Sequence, residues 1–159
     1  MAEIDVEVKD NTDKVNKELE KAVEKALFQI GLLGVEGCVE MASEIDDATG
    51  RPTVDTGRYR AAFGFITPQN GRMSGMQSAN AKFTDNISSQ RADKDTVVIA
   101  NNVEYASYLE YGTGTKKGGH HARYIMKRGI ESKISKMKEV TQEVFEGKDV
   151  DMTVDFGGV

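Results

Sequence analysis

The sequence predicts an α+β fold, with a long N-terminal helix and a C-terminal helix packed on a mostly antiparallel sheet. Three observations predict it. An apolar stripe at helical spacing runs from Val15 to Ile45, and a second occupies residues 123–145. Short alternating or β-branched runs lie before, between and after the two stripes. The chain has 159 residues, a length that suits one domain with a substantial core. We read residues 1–147 as that domain and residues 148–159 as a C-terminal tail able to supply an extra strand.

Residues 3–8 alternate Glu-Ile-Asp-Val-Glu-Val, the pattern of a half-buried strand. Asp10, Asn11, Thr12 and Asp13 then supply turn and N-cap side chains ahead of the first helix. Val15, Leu19, Val23, Ala26, Ile30, Leu33, Met41 and Ile45 form its apolar stripe. Gly31, Gly34 and Gly37 interrupt that helix at three-residue spacing, each costing roughly 1 kcal/mol relative to Ala. Small residues on one face let another backbone approach, so we expect a packing or subunit contact there.

The first helix should end around residues 46–50. Val54-Asp55-Thr56-Gly57-Arg58-Tyr59-Arg60 reads as a turn leading into an extended run over residues 61–66. Residues 68–94 read as a long loop or insertion, rich in Gly, Ser, Asn, Gln and Met as far as residue 81, with a weak strand pattern over 82–90. Thr96-Val97-Val98-Ile99 centres a strong strand. Residues 103–111 fit a short helix or turn dense with Tyr105, Tyr108 and Tyr111, whose rings should cover the sheet edge and helix ends. Residues 112–119 form a glycine-rich basic loop. The second helix should bury Ile125, Ile130, Ile134, Met137, Val140 or Thr141, and Val144. After Gly147, Val150, Met152, Val154 and Phe156 alternate with acids and Thr, again as a strand would.

Net charge is −5 but unevenly spread. Residues 1–48 carry 13 acids against 5 bases, whereas residues 113–138 carry 8 bases and one acid, Glu131. Such asymmetry suits a subunit whose two ends meet different neighbours, or a surface facing a polyanion. No run approaches the eighteen consecutive apolar residues expected of a membrane span, and the acidic N-terminus is the opposite of a secretory signal. Cys38 is the sole cysteine and lies in a helical pattern, so a buried structural thiol in a reducing cytoplasm is the expected role.

Candidates for chemistry are weak. His120 and His121 are adjacent, so they point to different sides, and no Cys or carboxylate sits at ligand spacing nearby. Gly112-Thr113-Gly114-Thr115-Lys116-Lys117-Gly118-Gly119 lacks the spacing of a phosphate-binding loop. No nucleophile, base and acid are arranged for catalysis. We therefore expect a non-enzyme without cofactor or metal. Gly57 and Gly112 sit where the chain changes element and should occupy positive-φ turns, with Arg58 and Glu110 as a charge-assisted pair between them.

Three stretches, in order, carry a resemblance. Asp55-Thr56-Gly57-Arg58-Tyr59-Arg60-Ala61-Ala62-Phe63 resembles the D-T-G-R-L-R-x-S-I segment of the tail-completion family of long-tailed bacteriophages. Tyr105-Ala106-Ser107-Tyr108-Leu109-Glu110-Tyr111-Gly112-Thr113 is similar to its Y-A-x-Y-V-E-F-G-T. Ala122-Arg123-Tyr124-Ile125-Met126-Lys127-Arg128-Gly129-Ile130 resembles its A-R-P-F-L-R-P-A-L, with both prolines replaced, by Tyr124 and Arg128.

The resemblance implies a structural virion protein, assembled in the host cytoplasm. It would form a homo-oligomeric ring, commonly sixfold, in the phage neck between the head connector and the tail tube. Its partners would be further copies and neighbouring neck and tail proteins, with no membrane. Lys116, Lys117, His120 and His121 would face the lumen or a neighbouring ring, with transient contact to passing DNA. Two alternatives come with it: a tail-terminator or sheath-associated ring of a contractile tail or phage-like particle, and a DNA-contacting neck protein.

Overall fold

The computed structural model describes residues 2–8, 17–46, 50–52, 57–69, 92–101, 103–113, 121–145 and 150–156. In chain order these form β1 (Ala2–Val8), α1 (Lys17–Ser43), the two-residue strands β2 (Ile45–Asp46) and β3 (Arg51–Pro52), α2 (Arg58–Ala61), β4 (Phe63–Ile66), β5 (Thr96–Asn101), α3 (Ala106–Tyr111), α4 (Ile125–Val144) and β6 (Val150–Asp155). The expected α+β class holds, with the sheet antiparallel throughout. The proposed cap at residues 10–13, the start of the stripe at Val15 and the weak strand over 82–90 lie outside the described residues.

The main sheet runs in the order β4-β5-β1-β6. β1, the first strand in the chain, is therefore an inner strand, paired on one side with β5 (Ile4 opposite Val97) and on the other with β6 (Ile4 opposite Val154). Its alternation decides which side chains meet the helices: Ala2, Ile4 and Val6 are buried, and Glu3 and Asp5 are exposed. The C-terminal alternation behaves as the sequence predicts, because Met152 and Val154 share the inner face with Val6 and Ile4. On the outer face Glu3 stands opposite Asp155, a like-charge pairing that disfavours the ladder locally. Between Ile66 and β5 the register places Phe65 opposite Ile99, so ring and branched side chain enter the core together.

α1 and α4 cover the inner face. They cross antiparallel, because Glu44, at the end of α1, reaches Arg128 in the first turn of α4, while Glu40 meets Lys133 further on. The core between helices and sheet contains Leu27, Ile30, Phe65, Ile99, Ile130 and Met137, all essentially inaccessible. Of the second helix's expected apolar side, Ile125, Ile130, Met137 and Thr141 are buried, and Ile134, Val140 and Val144 are half-buried. By length and composition the stretch Leu19–Ser43 of α1 is apolar enough to cross a membrane, which counting uninterrupted runs did not reveal. Its burial against the sheet and α4 accounts for that apolarity.

The glycine row has a packing explanation within the chain. A Cβ on Gly31 would enter the Phe65 ring, and one on Gly34 would strike the Ile99 side chain. At Gly37 the obstacle is backbone, the Gly129 carbonyl oxygen, and reciprocally a Cβ on Gly129 would lie 2.7 Å from the Cα and N of Cys38. The α1–α4 crossing is thus glycine against glycine. Cys38 beside it is fully buried, as expected of a structural thiol.

The turn expected at Gly57 is real and tighter than the sequence suggests. Arg58–Ala61 makes one helical turn before β4 begins at Phe63, where an extended run from residue 61 was expected. Ala61 donates to the Gly57 carbonyl at 2.9 Å, which closes that turn. Gly57 has φ 68° and ψ −10°, whereas Gly112 has φ 76° and ψ 176°. The first conformation admits Asn; the second is essentially reserved for Gly.

Two sets of variants check this account in thermal melts. Gly129→Ala should cost several degrees in Tm, because the neighbour it strikes is backbone. Gly34→Ala should cost less, because the Ile99 side chain can rotate away. Gly57→Asn should be nearly neutral, and Gly112→Asn should lose about 1–3 kcal/mol. Equal effects within either set would contradict the assignment.

Candidate functional site

The three motifs that carried the sequence resemblance meet in one place. Asn101, at the end of β5, donates from Nδ2 to the Tyr59 carbonyl at 2.8 Å and accepts from the Val103 amide at 2.9 Å. It therefore fastens the first motif to the approach of the second. Tyr59 is fully buried, and its ring stacks on Tyr105 with centroids 6.4 Å apart and meets Phe63 edge-on at 5.0 Å. The Arg58 guanidinium lies 6.0 Å from the Tyr105 ring centre, within range of a cation–π contact.

Glu110 does something that sequence reasoning missed. The carboxylate, expected to pair with Arg58, accepts the Met126 amide at 2.8 Å with one oxygen and the Lys127 amide at 3.0 Å with the other. These are the second and third residues of α4, so the second motif caps the helix that the third motif opens. Two of the amides left without partners at a helix N-terminus are satisfied, and the negative charge faces the positive end of the helix dipole. The backbone adds two bonds, from Arg123 to the Leu109 carbonyl at 3.0 Å and from Tyr124 to the Glu110 carbonyl at 3.2 Å. The left-handed backbone at Tyr124 makes the helix start at Ile125 and not at residue 123. The signal was present as an acid two residues before a glycine stop, but acids in that position are usually solvated.

Tyr124 pays for this geometry. Its φ of 47° and ψ of 44° are left-handed, uncommon for a bulky residue. That explains why the proline of the family motif cannot stand here: proline is fixed near φ −65° and has no N–H for the Glu110 carbonyl. Burial first, and then the Glu110 charge, hold the Cys38 thiol and the Tyr59 phenol well above their ordinary ranges. The same two causes, in the same order, raise Tyr111.

Of the three motif tyrosines expected to cover the sheet edge and helix ends, Tyr105 packs against the core and the other two face outward. Tyr105 is half-buried, but Tyr108 is 58% exposed and Tyr111 40%. α3 has six residues and turns its Glu110 side inward, which leaves the Tyr108 and Tyr111 side outward. Tyr124 is exposed beside them, and the Lys127 ammonium lies 5.9 Å from the ring centres of both Tyr124 and Phe156. The Tyr111 hydroxyl reaches the Phe156 carbonyl at 3.5 Å. The motif junction thus presents an aromatic surface with a cation in it.

Of the remaining expected site residues, His121 is exposed, and Gly112 and Arg123 are half-buried. Asp55, Thr56, Lys116, Lys117 and His120 lie outside the described residues. Among the described residues no group of three or more His, Cys, Asp or Glu side chains is placed to hold a metal ion. The basic side of α4 is engaged by α1 and the residue after it at Lys133 and Arg128, while Lys136 pairs within its own helix and Lys138 is exposed. Lys133 bridges Glu40 at 2.9 Å and Glu36 at 3.6 Å, Arg128 meets Glu44 at 3.1 Å, and Lys136 meets Glu139 at 3.1 Å. The antiparallel crossing puts Glu36, Glu40 and Glu44 beside Lys133 and Arg128. Such exposed pairs are worth little individually, so they set charge rather than stability.

Glu110→Ala should cost about 2–3 kcal/mol, since it removes two charge-assisted bonds and a cap. Glu110→Gln should recover part of that, because one amide oxygen can still accept. Chemical unfolding of the two variants checks the order; a Gln variant no better than Ala would refute the cap.

Comparison with known proteins agrees with the sequence resemblance. A model of the HK97-gp10-like family, described for the bacteriophage HK97 gp10 tail component, matches residues 6–112. The match takes in the first two motifs and ends at Gly112, ahead of α4. No curated protein matches the chain, and no solved structure does. Two thirds of the sequence, including the glycine row, the Gly57 turn and the capping Glu110, fit that family model, and the chain belongs to the HK97-gp10-like family of phage tail components.

Proposed function

We propose that the chain is a structural subunit of a ring in the phage neck, seated between the head connector and the tail tube. Membership of a phage tail-component family is the observation that carries this reading, and it implies association with other phage structural proteins. The motif residues support it. Asn101, Glu110 and Tyr59 are committed to holding elements together, and the surface they build is aromatic rather than a cluster of reactive groups. We read the role as non-enzymatic on that ground.

In this reading the subunit assembles in the host cytoplasm and ends in the virion. The loop carrying Lys116, Lys117, His120 and His121 would face the lumen or a neighbouring ring. The DNA-contacting alternative is weaker, because Arg128, Lys133 and Lys136 are matched by acids of the same chain. Lys116 and Lys117 can neutralise few phosphates, and the gain from counterion release scales with the number of phosphates contacted, so such binding would be weak at physiological salt.

Gold labelling of the chain's C-terminus in intact particles tests the location. Label should gather at the head–tail junction, and label spread along the tail tube would overturn the neck assignment. Lys116→Glu with Lys117→Glu should reduce particle yield while leaving stability, read from the thermal melt, within about 0.5 kcal/mol.

A further inference from the structure

Six large hydrophobic side chains are exposed among the described residues: Phe28, Leu32, Ile45, Tyr108, Tyr111 and Tyr124. Five of them form two groups. Phe28 and Leu32 are one turn apart on α1, and Tyr108, Tyr111 and Tyr124 gather where α3 meets the start of α4. Lone apolar residues on a surface need no explanation, but grouped aromatic ones mark contacts.

The two groups cannot cover each other within one chain. Phe28 lies sixteen residues from Glu44, about 24 Å along the helix at 1.5 Å per residue. Glu44 in turn touches Arg128, one turn beyond Tyr124. The groups therefore occupy opposite ends of the α1–α4 pair.

We propose that they are the two halves of one head-to-tail contact, in which the Tyr108, Tyr111 and Tyr124 surface of one copy seats on Phe28 and Leu32 of the next. This rests on the ring reading and names the surfaces that would build it. A contact between different patches repeats from copy to copy and closes when the rotation permits. Tyrosine supplies large, rigid contact area with a polar tip, the usual chemistry of a contact anchor.

The charge on the aromatic surface disfavours that surface meeting itself. Lys127 lies between the Tyr124 and Phe156 rings, so an isologous contact there would bring two copies of that ammonium together. On α1 the apolar pair is flanked by Glu24 as well as Lys21 and Lys25, which with Thr67 line a surface groove beside Phe28. The aromatic surface carries Lys127 beside Tyr124, and Glu104 is exposed ahead of α3. Seating Glu24 toward Lys127 gives that ammonium an anion across the contact.

Disulfide trapping tests the contact on the full chain. Leu32→Cys and Tyr108→Cys are prepared separately and their melts checked; both positions are exposed, and the native Cys38 is buried. The proteins are concentrated, oxidised alone and as an equimolar mixture, and sedimented in parallel. We expect a mixed disulfide dimer in the mixture at least tenfold above either variant alone. Equal self-linking by one variant would overturn the head-to-tail pairing in favour of an isologous contact. Self-association without the mixed disulfide would overturn this contact and leave the ring reading standing. A protein that remains monomeric at every soluble concentration, without cross-links, would count against both.

Discussion

One carboxylate joins what the chain order keeps apart. Glu110 sits on a helix of six residues that could not hold its own shape in water, and it accepts the second and third amides of a twenty-residue helix. The bond satisfies donors that would otherwise need solvent, and it does so from a buried position, where an unpaired charge would be expensive. Once α4 is anchored at that end, its line across the sheet is largely determined. Ile125 and Ile130 are drawn into the core, and Lys133 is brought to the acids of α1.

The second constraint is the closeness of the α1–α4 crossing. Gly37 and Gly129 let the two backbones touch, which brings the helices nearer than leucine or alanine at the contact would allow. That proximity is what puts Gly34 over Ile99 and Gly31 over Phe65, so both sheet strands β4 and β5 press against α1. Glycine weakens a helix, and here the loss is offset by apolar area that no larger residue could bury. The left-handed Tyr124 is a similar exchange, local strain accepted so that two amides can turn back to α3.

Much of this architecture was legible in the residues, because period and alternation report which side of an element is buried. β1, β5, β6 and the inner sides of both helices follow directly from that rule. The glycine row announced a close approach, though not whether the neighbour was another copy or another part of the same chain. What escaped was anything decided by tertiary direction. Glu110 looks solvated in sequence, and its capping role depends on α4 arriving beside it. Asn101 reads as a strand-ending turn former, yet it ties two motifs. Phe28 and Leu32 belonged to a strongly apolar helix, and their exposure follows from the breadth of the face that the sheet and α4 cover. The charges misled for the same reason: acidic and basic stretches remote in sequence turn out to be adjacent across one helix crossing.

The position of β1 has a consequence for how the chain is made. Of the described strands, β1 is made before the others and is an inner strand of the sheet, and both of its neighbours, β5 and β6, come later in the chain. Until β6 has been made, at least one edge of β1 has no partner, and until the helices are made Ile4 and Val6 have no complete core to enter. Open edges with apolar side chains invite pairing with other chains. The exposed Glu3 and Asp5 alternate with those apolar residues, and nascent copies on one message would repel one another through them. The like-charge pairing that weakens the finished sheet can thus protect the unfinished one.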